Sequence, residues 1–184
     1  QLMRVSDWAV LKKEHTFSTS NGTAAYALPS DFDRLVLETS YNRSDNDIMT
    51  GPISSSEYQL VNHGTASQGT TEKFRLKAAS GALKFEIDPT PSSTQTIGFE
   101  YVSTQFCQSS GGSGQAAWAA DTDVGILDES TMEMGITWRF KAAHGLDYAE
   151  DYRQYQLEVR QAVARNGSAP VLQMDDARRL IVSP

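Results

Sequence analysis

The chain has 184 residues, a formal net charge of −7 and a single cysteine, Cys107. That length buries a core without disulfides or metals, and one cysteine excludes an intramolecular disulfide, so the chain reads as one that folds in a reducing cytoplasm. No apolar run approaches the roughly 20 residues that span a bilayer, no signal-peptide pattern is visible, and an acidic surface disfavours tight nucleic-acid binding. The chain opens on Gln1 rather than Met, which is expected if N-terminal sequence precedes it.

From Leu2 to Lys13, the residues Leu2, Val5, Trp8, Ala9 and Lys12 fit a helical face in a segment without Gly or Pro, which predicts the end of a helix. Asn21-Gly22 between Thr16–Thr19 and Ala24–Leu28 predicts a hairpin, since both turn residues tolerate positive φ, and Pro29 ends its second strand. Arg34 to Tyr41 reads as a third strand and Asn42 to Gly51 as a polar loop. Ser54 and Glu57 stand at capping-box spacing for a short helix reaching Val61. Asn62 to Thr71 reads as another loop.

Phe74 and Leu76 alternate with Lys73, Arg75 and Lys77, while Leu83, Phe85 and Ile87 alternate with Lys84, Glu86 and Asp88. With Ser80-Gly81 between them, these runs predict a second hairpin with one buried face. Gln95 to Ser103 alternates again through Ile97, Phe99 and Tyr101. Short strands and tight turns in this number predict a small antiparallel sheet, sandwich or barrel. Ser109 to Gly114 is Ser and Gly only and reads as a mobile linker.

Asp128 is a candidate N-cap, with Glu129 and Glu133 near the positive helix end. Met132, Ile136, Phe140 and Ala143 form one helical stripe that stops at His144-Gly145. Asp147 can cap a further helix, in which Tyr148, Tyr152, Tyr155, Val159 and Ala162 form a packing seam ending at Asn166-Gly167. The short connection predicts an antiparallel helix hairpin. Ser168 to Pro184 is too apolar for a disordered tail and too short for its own core, so something must cover its apolar side chains.

The fold class expected is α+β. It combines a small antiparallel β-sheet or sandwich domain with a helical part (an N-terminal helix and a C-terminal helix hairpin) and an extended C-terminal tail. The expected organisation is an N-terminal helix over 1–13 packing with the C-terminal helices, a β-rich domain over 14–108, a flexible linker loop over 109–120, a helical hairpin over 121–167 and a docking tail over 168–184.

Catalytic chemistry is poorly supplied. His15, His63 and His144 are scattered and form no metal-ligand spacing with each other or with Cys107, so no metal or cofactor is expected. A Cys107–His nucleophile would need folding to supply the base. Gly-x-Ser-x-Gly, phosphate-loop and dinucleotide-loop patterns are absent. Asp45, Asn46 and Asp47 lack the glycine and distal Glu of a calcium loop. Asp121, Asp123, Asp128, Glu129 and Glu133 run without an intervening base. They read as a solvated helix start, as an acidic patch on a lumen wall, or as a carboxylate pair for glycosidic chemistry. Trp118, Trp138 and the tyrosines raise sugar stacking, although helical spacing argues for packing instead.

Several ordered segments resemble phage head-to-tail adaptor proteins. Tyr26 to Phe32, followed by Arg34-Leu35, resembles the Y-x-L-P-x-D-F-x-R-L stretch of that family, and Gly51-Pro52-Ile53-Ser54 with Glu57-Tyr58 resembles its G-P-L-S-x-x-E-W segment. Phe74-Arg75-Leu76 and Phe99-Glu100-Tyr101-Val102-Ser103 are similar to two of its strands. Asp121-Thr122-Asp123, Leu127-Asp128-Glu129, Trp138-Arg139 and Gly145 to Glu150 follow in order. The chain departs at Tyr58, where tryptophan is commoner, and in its tail.

The resemblance implies a structural, non-enzymatic virion protein at the head–tail junction, assembled in the host bacterial cytoplasm. It implies a homo-oligomeric ring of about twelve copies between the portal and the tail nozzle or tube protein. Genomic DNA would pass through the channel without specific binding, and no membrane is involved. Val171, Leu172, Met174, Arg178, Arg179, Leu180 and Ile181 are then expected to dock on the portal or a neighbour, and Asp121, Asp123, Asp128, Glu129 and Glu133 to line the channel. The alternatives are a carbohydrate- or receptor-binding tail module and a virion hydrolase using acidic residues.

Overall fold

The computed structural model describes residues 2–63 and 72–167. They fall into two compact units, one over Met3–Glu129 and one from Ser130 onward. The class is α+β: antiparallel sheets with, among the described residues, three α-helices. The C-terminal tail lies outside the described residues.

The chain begins with 3-10 turns at Leu2–Arg4 and Ala9–Leu11, then enters strand β1 (Lys12–Ser18). This corrects the α-helix expected over 1–13. The Arg34 guanidinium takes the carbonyl oxygens of Met3 (3.2 Å) and Ser6 (3.0 Å), which an α-helix would turn toward its own amides. Strands β2 (Ala25–Ala27), β3 (Phe32–Leu35), β4 (Tyr41–Asn42) and β5 (Asp47–Ile48) precede helix α1 (Ser55–His63). Then come β6 (Lys73–Ala79), β7 (Ala82–Asp88), β8 (Thr96–Ser103), β9 (Cys107–Gln108), β10 (Gly114–Gln115) and β11 (Val124–Gly125).

One sheet runs β1-β8-β4-β5, with β3 also on β8; a second runs β2-β7-β6. The expected hairpin at Asn21-Gly22 is therefore a corner. Thr23 N–H donates to the Ser20 carbonyl at 3.1 Å across the turn, but β1 pairs with β8 and β2 with β7. The turn is local, whereas each flanking strand takes the longer partner available to it. The single strand expected over 34–41 is also broken. Glu38 adopts φ 62°, and the Thr39 hydroxyl donates to the Val36 carbonyl at 2.7 Å, so β3 and β4 meet β8 separately.

The hairpin at Ser80-Gly81 is present, with Ala79 opposite Ala82 and both turn residues at positive φ. Its register puts Phe74 and Ile87 opposite each other, and Leu76 opposite Phe85, on one face. That face meets Ile97, Phe99 and Tyr101 of β8 in a single core with Leu35 and Met49. The Phe74 and Phe85 rings stack at 4.5 Å and 9°, and Phe85 stacks on Phe99 across the two sheets at 5.2 Å and 2°.

Ser109 to Gly114 forms a hydrogen-bonded turn joining β9 to β10, not an unstructured linker. Gly112 N–H donates to the Ser109 carbonyl (2.8 Å), Ser113 N–H to the Ser109 hydroxyl (3.2 Å), and Ser109 N–H to the Ser113 carbonyl (2.9 Å). The side-chain hydroxyl replaces the apolar anchoring that this composition lacks.

In the second unit, α2 (Glu129–Ala143) and α3 (Ala149–Arg165) form an antiparallel pair. Gly135 faces Tyr155, Trp138 faces Tyr152, and Lys141 faces Asp151, so partner numbers fall as α2 advances. Gly145, at φ 67°, closes α2: its N–H donates to Ala142 and that of Leu146 reaches back to Lys141 at 2.9 Å. Asp147 accepts the Ala149 N–H at 3.2 Å at the start of α3.

Because Phe85 touches rings from both sheets, Phe85→Ala is expected to cost about 3–5 kcal/mol in urea unfolding, near the top of the large-to-small range. A loss below about 1.5 kcal/mol would show that the two sheets do not depend on this side chain.

Candidate functional site

The segments that carry the resemblance hold the polar anchors of the first unit. Asp31, in the loop before β3, accepts from Lys13 Nζ at 2.7 Å, Tyr101 Oη at 2.9 Å and Ser103 Oγ at 2.8 Å. Its own carbonyl takes the Thr104 N–H at 2.7 Å. Three donors converge because β1 and β8 are paired there, Lys13 opposite Tyr101, and the Leu28-Pro29-Ser30 turn brings the carboxylate to them. Burial pushes the Asp31 carboxyl up, but the hydrogen bonds from Lys13, Ser103 and Tyr101 and the Lys13 charge outweigh it, leaving the group below its ordinary value of 3.8. Burial, the hydrogen bond to Asp31 and its negative charge push the Tyr101 phenol up to about 12.

Three residues on, Arg34 pairs with Asp7 (2.8 Å) and Asp33 (2.7 Å) in addition to the two carbonyls it donates to. It ties the N-terminal turns to the sheet. Gly51 lets the chain before α1 run against β6, since a Cβ there would stand 2.5 Å from the Phe74 carbonyl oxygen. Ser54 Oγ accepts the Glu57 N–H at 3.1 Å, which caps α1. Tyr58 lies under the Arg75 guanidinium, 3.2 Å from its ring centroid, and Arg75 also pairs with Glu86 at 2.5 Å. The ring's π face holds the guanidinium there. Of these roles only the Ser54–Glu57 cap was read from the sequence; for Asp31, Arg34, Tyr58 and Arg75 the only signal was polar residues among apolar ones.

Residues with chemical potential are otherwise engaged. His15 packs between Phe17 and Phe99, with ring centroids 5.9 and 5.4 Å away. His144 lies on Phe140 at 4.3 Å. Cys107 is fully buried, and burial together with the Asp123 charge pushes its thiol up, away from the reactive thiolate. Among the described residues no group of three or more His, Cys, Asp or Glu could hold a metal ion. In the Asp45-Asn46-Asp47 loop, which lacks the glycine and distal Glu of a calcium loop, Asn42 is the organiser. Its side-chain oxygen accepts from Ser44 N–H (3.0 Å) and Asp45 N–H (3.2 Å), and its amide donates to Asp45 and to Glu72 at 2.8 Å.

The acidic residues have different surroundings. Asp121, Asp128, Glu129 and Glu133 are exposed. The Asp123 carboxylate accepts the N–H groups of Ala119 (2.7 Å) and Ala120 (2.9 Å), closing the turn before β11. Glu133 borders a cleft of about 150 Å³ between the two helices, with Met134, Thr137, Asp151 and Gln154. Val171, Leu172, Met174, Arg178, Arg179, Leu180 and Ile181 lie outside the described residues.

The surface also exposes large apolar side chains. Leu37, Ile48 and Leu60 stand out from the first unit, and Ile136 (66 % exposed) and Phe140 (58 %) from α2. The sequence sets Met132, Ile136, Phe140 and Ala143 on one helical stripe of α2. Trp138 packs, with Tyr148, Tyr152 and Tyr155 around it, and Ile136 and Phe140 point outward. A large concave pocket with convergent polar groups is the usual setting for catalysis on a small molecule. The features gathered here are of another kind: anchored loops and protruding apolar side chains, the properties of a subunit surface.

The family model of the SU10 adaptor protein matches residues 1–180. The chain belongs to the SU10 adaptor protein family. It is a phage adaptor, a structural component of the virion. Among curated proteins none matches at a significant level. No helix among the described residues of this adaptor is long and apolar enough to cross a membrane.

In the adaptor, Asp31 stabilises the fold through its charge. Its folded pKa is below the unfolded value, so the contribution is full above about pH 5 and is lost as pH falls through the folded pKa. Asp31→Asn is expected to cost about 2 kcal/mol at pH 7 and to flatten the fall in stability between about pH 5 and pH 2, measured by urea unfolding. Wild-type steepness in the variant would assign the acid sensitivity to other carboxylates.

Proposed function

We propose that this adaptor forms a closed ring of about twelve copies between the portal and the tail nozzle or tube protein, with a channel through which the genome passes. The observation that carries the reading is the family match over residues 1–180, together with large apolar side chains left in solvent on both units. A monomer gains nothing from exposed Ile136, Phe140, Leu37 and Ile48, whereas a subunit that meets copies of itself and two other proteins uses such groups as contacts. Closed symmetry stops assembly at a fixed number without a further signal. In this reading Val171, Leu172, Met174, Arg178, Arg179, Leu180 and Ile181 dock on the portal or on a neighbouring copy.

The net charge of −7 suits a wall that DNA slides past. Repeated around a channel, exposed carboxylates give phosphates no attractive wells, so movement is not trapped. Asp121, Asp128, Glu129 and Glu133 have side chains in solvent for this role. Asp123 contributes charge, but its carboxylate is also part of the turn.

Mixing the purified chain with portal rings of the same phage and viewing the mixture by negative-stain microscopy tests the assembly. An added ring on one face of the portal is expected, and its loss when the chain ends at Gly167. Monomers that bind glycans and ignore the portal would replace this reading with a receptor-binding module. For the channel wall, Asp121→Lys combined with Glu133→Lys is expected to slow DNA ejection from assembled virions and leaves the Asp123 turn intact. Ejection at the wild-type rate would remove these acids from the wall.

A further inference from the structure

The two main sheets of the first unit carry charges of opposite sign on their outer faces. Successive side chains of a strand alternate between faces, so on β7 Lys84 points away from the ring core that Phe85 joins. Lys77 stands directly opposite Lys84 in the β6-β7 register and shares its face. Two like charges so placed have their Cβ atoms about 5 Å apart and repel each other. Neither lysine has an ion pair among the described residues, whereas Lys73 and Arg75, on the same face, pair with Glu57 and Glu86. Leu83, 45 % exposed, stands beside the two lysines at the end of the hairpin.

The first sheet repeats the pattern in the opposite sign. Phe99 of β8 stacks on Phe85, so its neighbour Glu100 points away from the second sheet. Glu14 lies opposite Glu100 in the β1-β8 register and is taken by Arg43, but Glu100 has no ion-pair partner among the described residues. The turn that carries Glu38 is bonded to the backbone of Glu100. The Val36 N–H donates to the Glu100 carbonyl at 3.0 Å, and the Glu100 N–H donates to the Thr39 hydroxyl at 3.0 Å. Glu38 is exposed and likewise without an ion pair among the described residues, and Leu37 beside it is 65 % exposed.

One outer face therefore offers two unmatched lysines and a leucine, and the other two unmatched glutamates and a leucine. Phe85 and Phe99 stack between the sheets, so these two faces look in opposite directions. A subunit with complementary patches on opposite sides satisfies both by meeting two further copies head to tail, the arrangement that closes into a ring. We infer that the Lys77–Leu83–Lys84 end of one copy docks on the Leu37–Glu38–Glu100 surface of a second copy. The occupant is this same chain rather than DNA, because phosphates would answer the lysines alone, whereas each leucine calls for an apolar counterpart and the matching acids stand on this chain. The contact deepens the ring reading above and rests on it for closure; the pairing of the two patches follows from their charge and placement.

The test uses the full chain without portal, in sedimentation velocity at high protein concentration and low ionic strength. The wild-type chain is expected to form species larger than a monomer that come apart as salt is raised, since the Debye length shrinks to about 10 Å at 0.1 M. Lys77→Glu with Lys84→Glu makes both patches acidic, and Glu38→Lys with Glu100→Lys makes both basic. Each double variant alone is then expected to associate at least about tenfold more weakly. An equimolar mixture of the two puts opposite charges back at every contact and is expected to recover the association, which also shows both variants to be folded. A wild-type chain that stays monomeric, variants that associate as the wild type does, or a mixture that fails to recover would each overturn the proposal. So would a lysine variant that associates normally but loses low-salt binding to duplex DNA, which assigns the lysines to the genome. The portal is absent throughout, so a failure here leaves a ring closed through other surfaces standing, and a failed portal experiment leaves this contact between copies standing.

Discussion

The contact between Phe85 and Phe99 is where the two main sheets of the first unit become one body. The sheet β2-β7-β6 has three strands, one of them only three residues long, and such a sheet does not hold in water unless its apolar face is covered. The cover is β8, through Phe99 stacked on Phe85 and, one register step away, Tyr101. Stacked and edge-to-face ring pairs of this kind each add about 0.5–1.5 kcal/mol beyond the area they bury. Phe17 of β1 joins from the side, edge-on to both Phe85 and Phe99. Rings do what aliphatic chains could not do as well here, because a ring spans the gap between two sheets with little rotamer freedom to lose.

Polar anchors then fix what the rings leave free. Apolar burial is non-directional and does not specify how a loop leaves a strand. Asp31 and Arg34 do, since a carboxylate and a guanidinium accept and donate along set directions. Asp31 locks the loop before β3 to β1 and β8, and Arg34 locks the residues before β1 to β3. Arg75 does the same for α1, gripping Tyr58 on one side and Glu86 on the other. These polar positions are therefore joints of the first unit, holding its loops and α1 against its strands.

These joints also explain what could be read from the sequence. Where periodicity is both strong and local, the reading holds: β6 and β7 pair with Phe74, Phe85 and Ile87 buried on one face, Ser80-Gly81 turns between paired strands, and Gly145 ends α2, whereas β8, read as alternating, is buried on both faces. It fails where a distant residue decides. Leu2 to Leu11 has helical spacing, but Arg34 draws on its carbonyls from more than twenty positions away. Asn21-Gly22 makes its turn, yet the pairing of the flanking strands is set by β7 and β8, which no local pattern announces. Ser109 to Gly114 has the composition of a linker and is held by its own hydroxyl and backbone hydrogen bonds. As for the surface, the Ile136–Phe140 stripe could be seen as apolar, but apolar spacing alone does not say whether the partner is the same molecule or another.

That last ambiguity follows from the size of the second unit. A pair of helices of fifteen and seventeen residues has too little interior to bury both an aromatic seam and an aliphatic stripe. The aromatic seam takes the space between the helices, where Trp138 meets Tyr148, Tyr152 and Tyr155 while Tyr148 and Tyr152 keep part of their surface in solvent, and Lys141–Asp151 closes one end of the pair. The stripe is left over. In an enzyme such a remainder would be a solubility fault, removed by substituting polar residues at no cost to a distant pocket. In an adaptor it is a resource, since a subunit that is incompletely satisfied alone gains free energy each time it meets a partner. The first unit closes a core of stacked rings within itself, and the second leaves Ile136 and Phe140 in solvent.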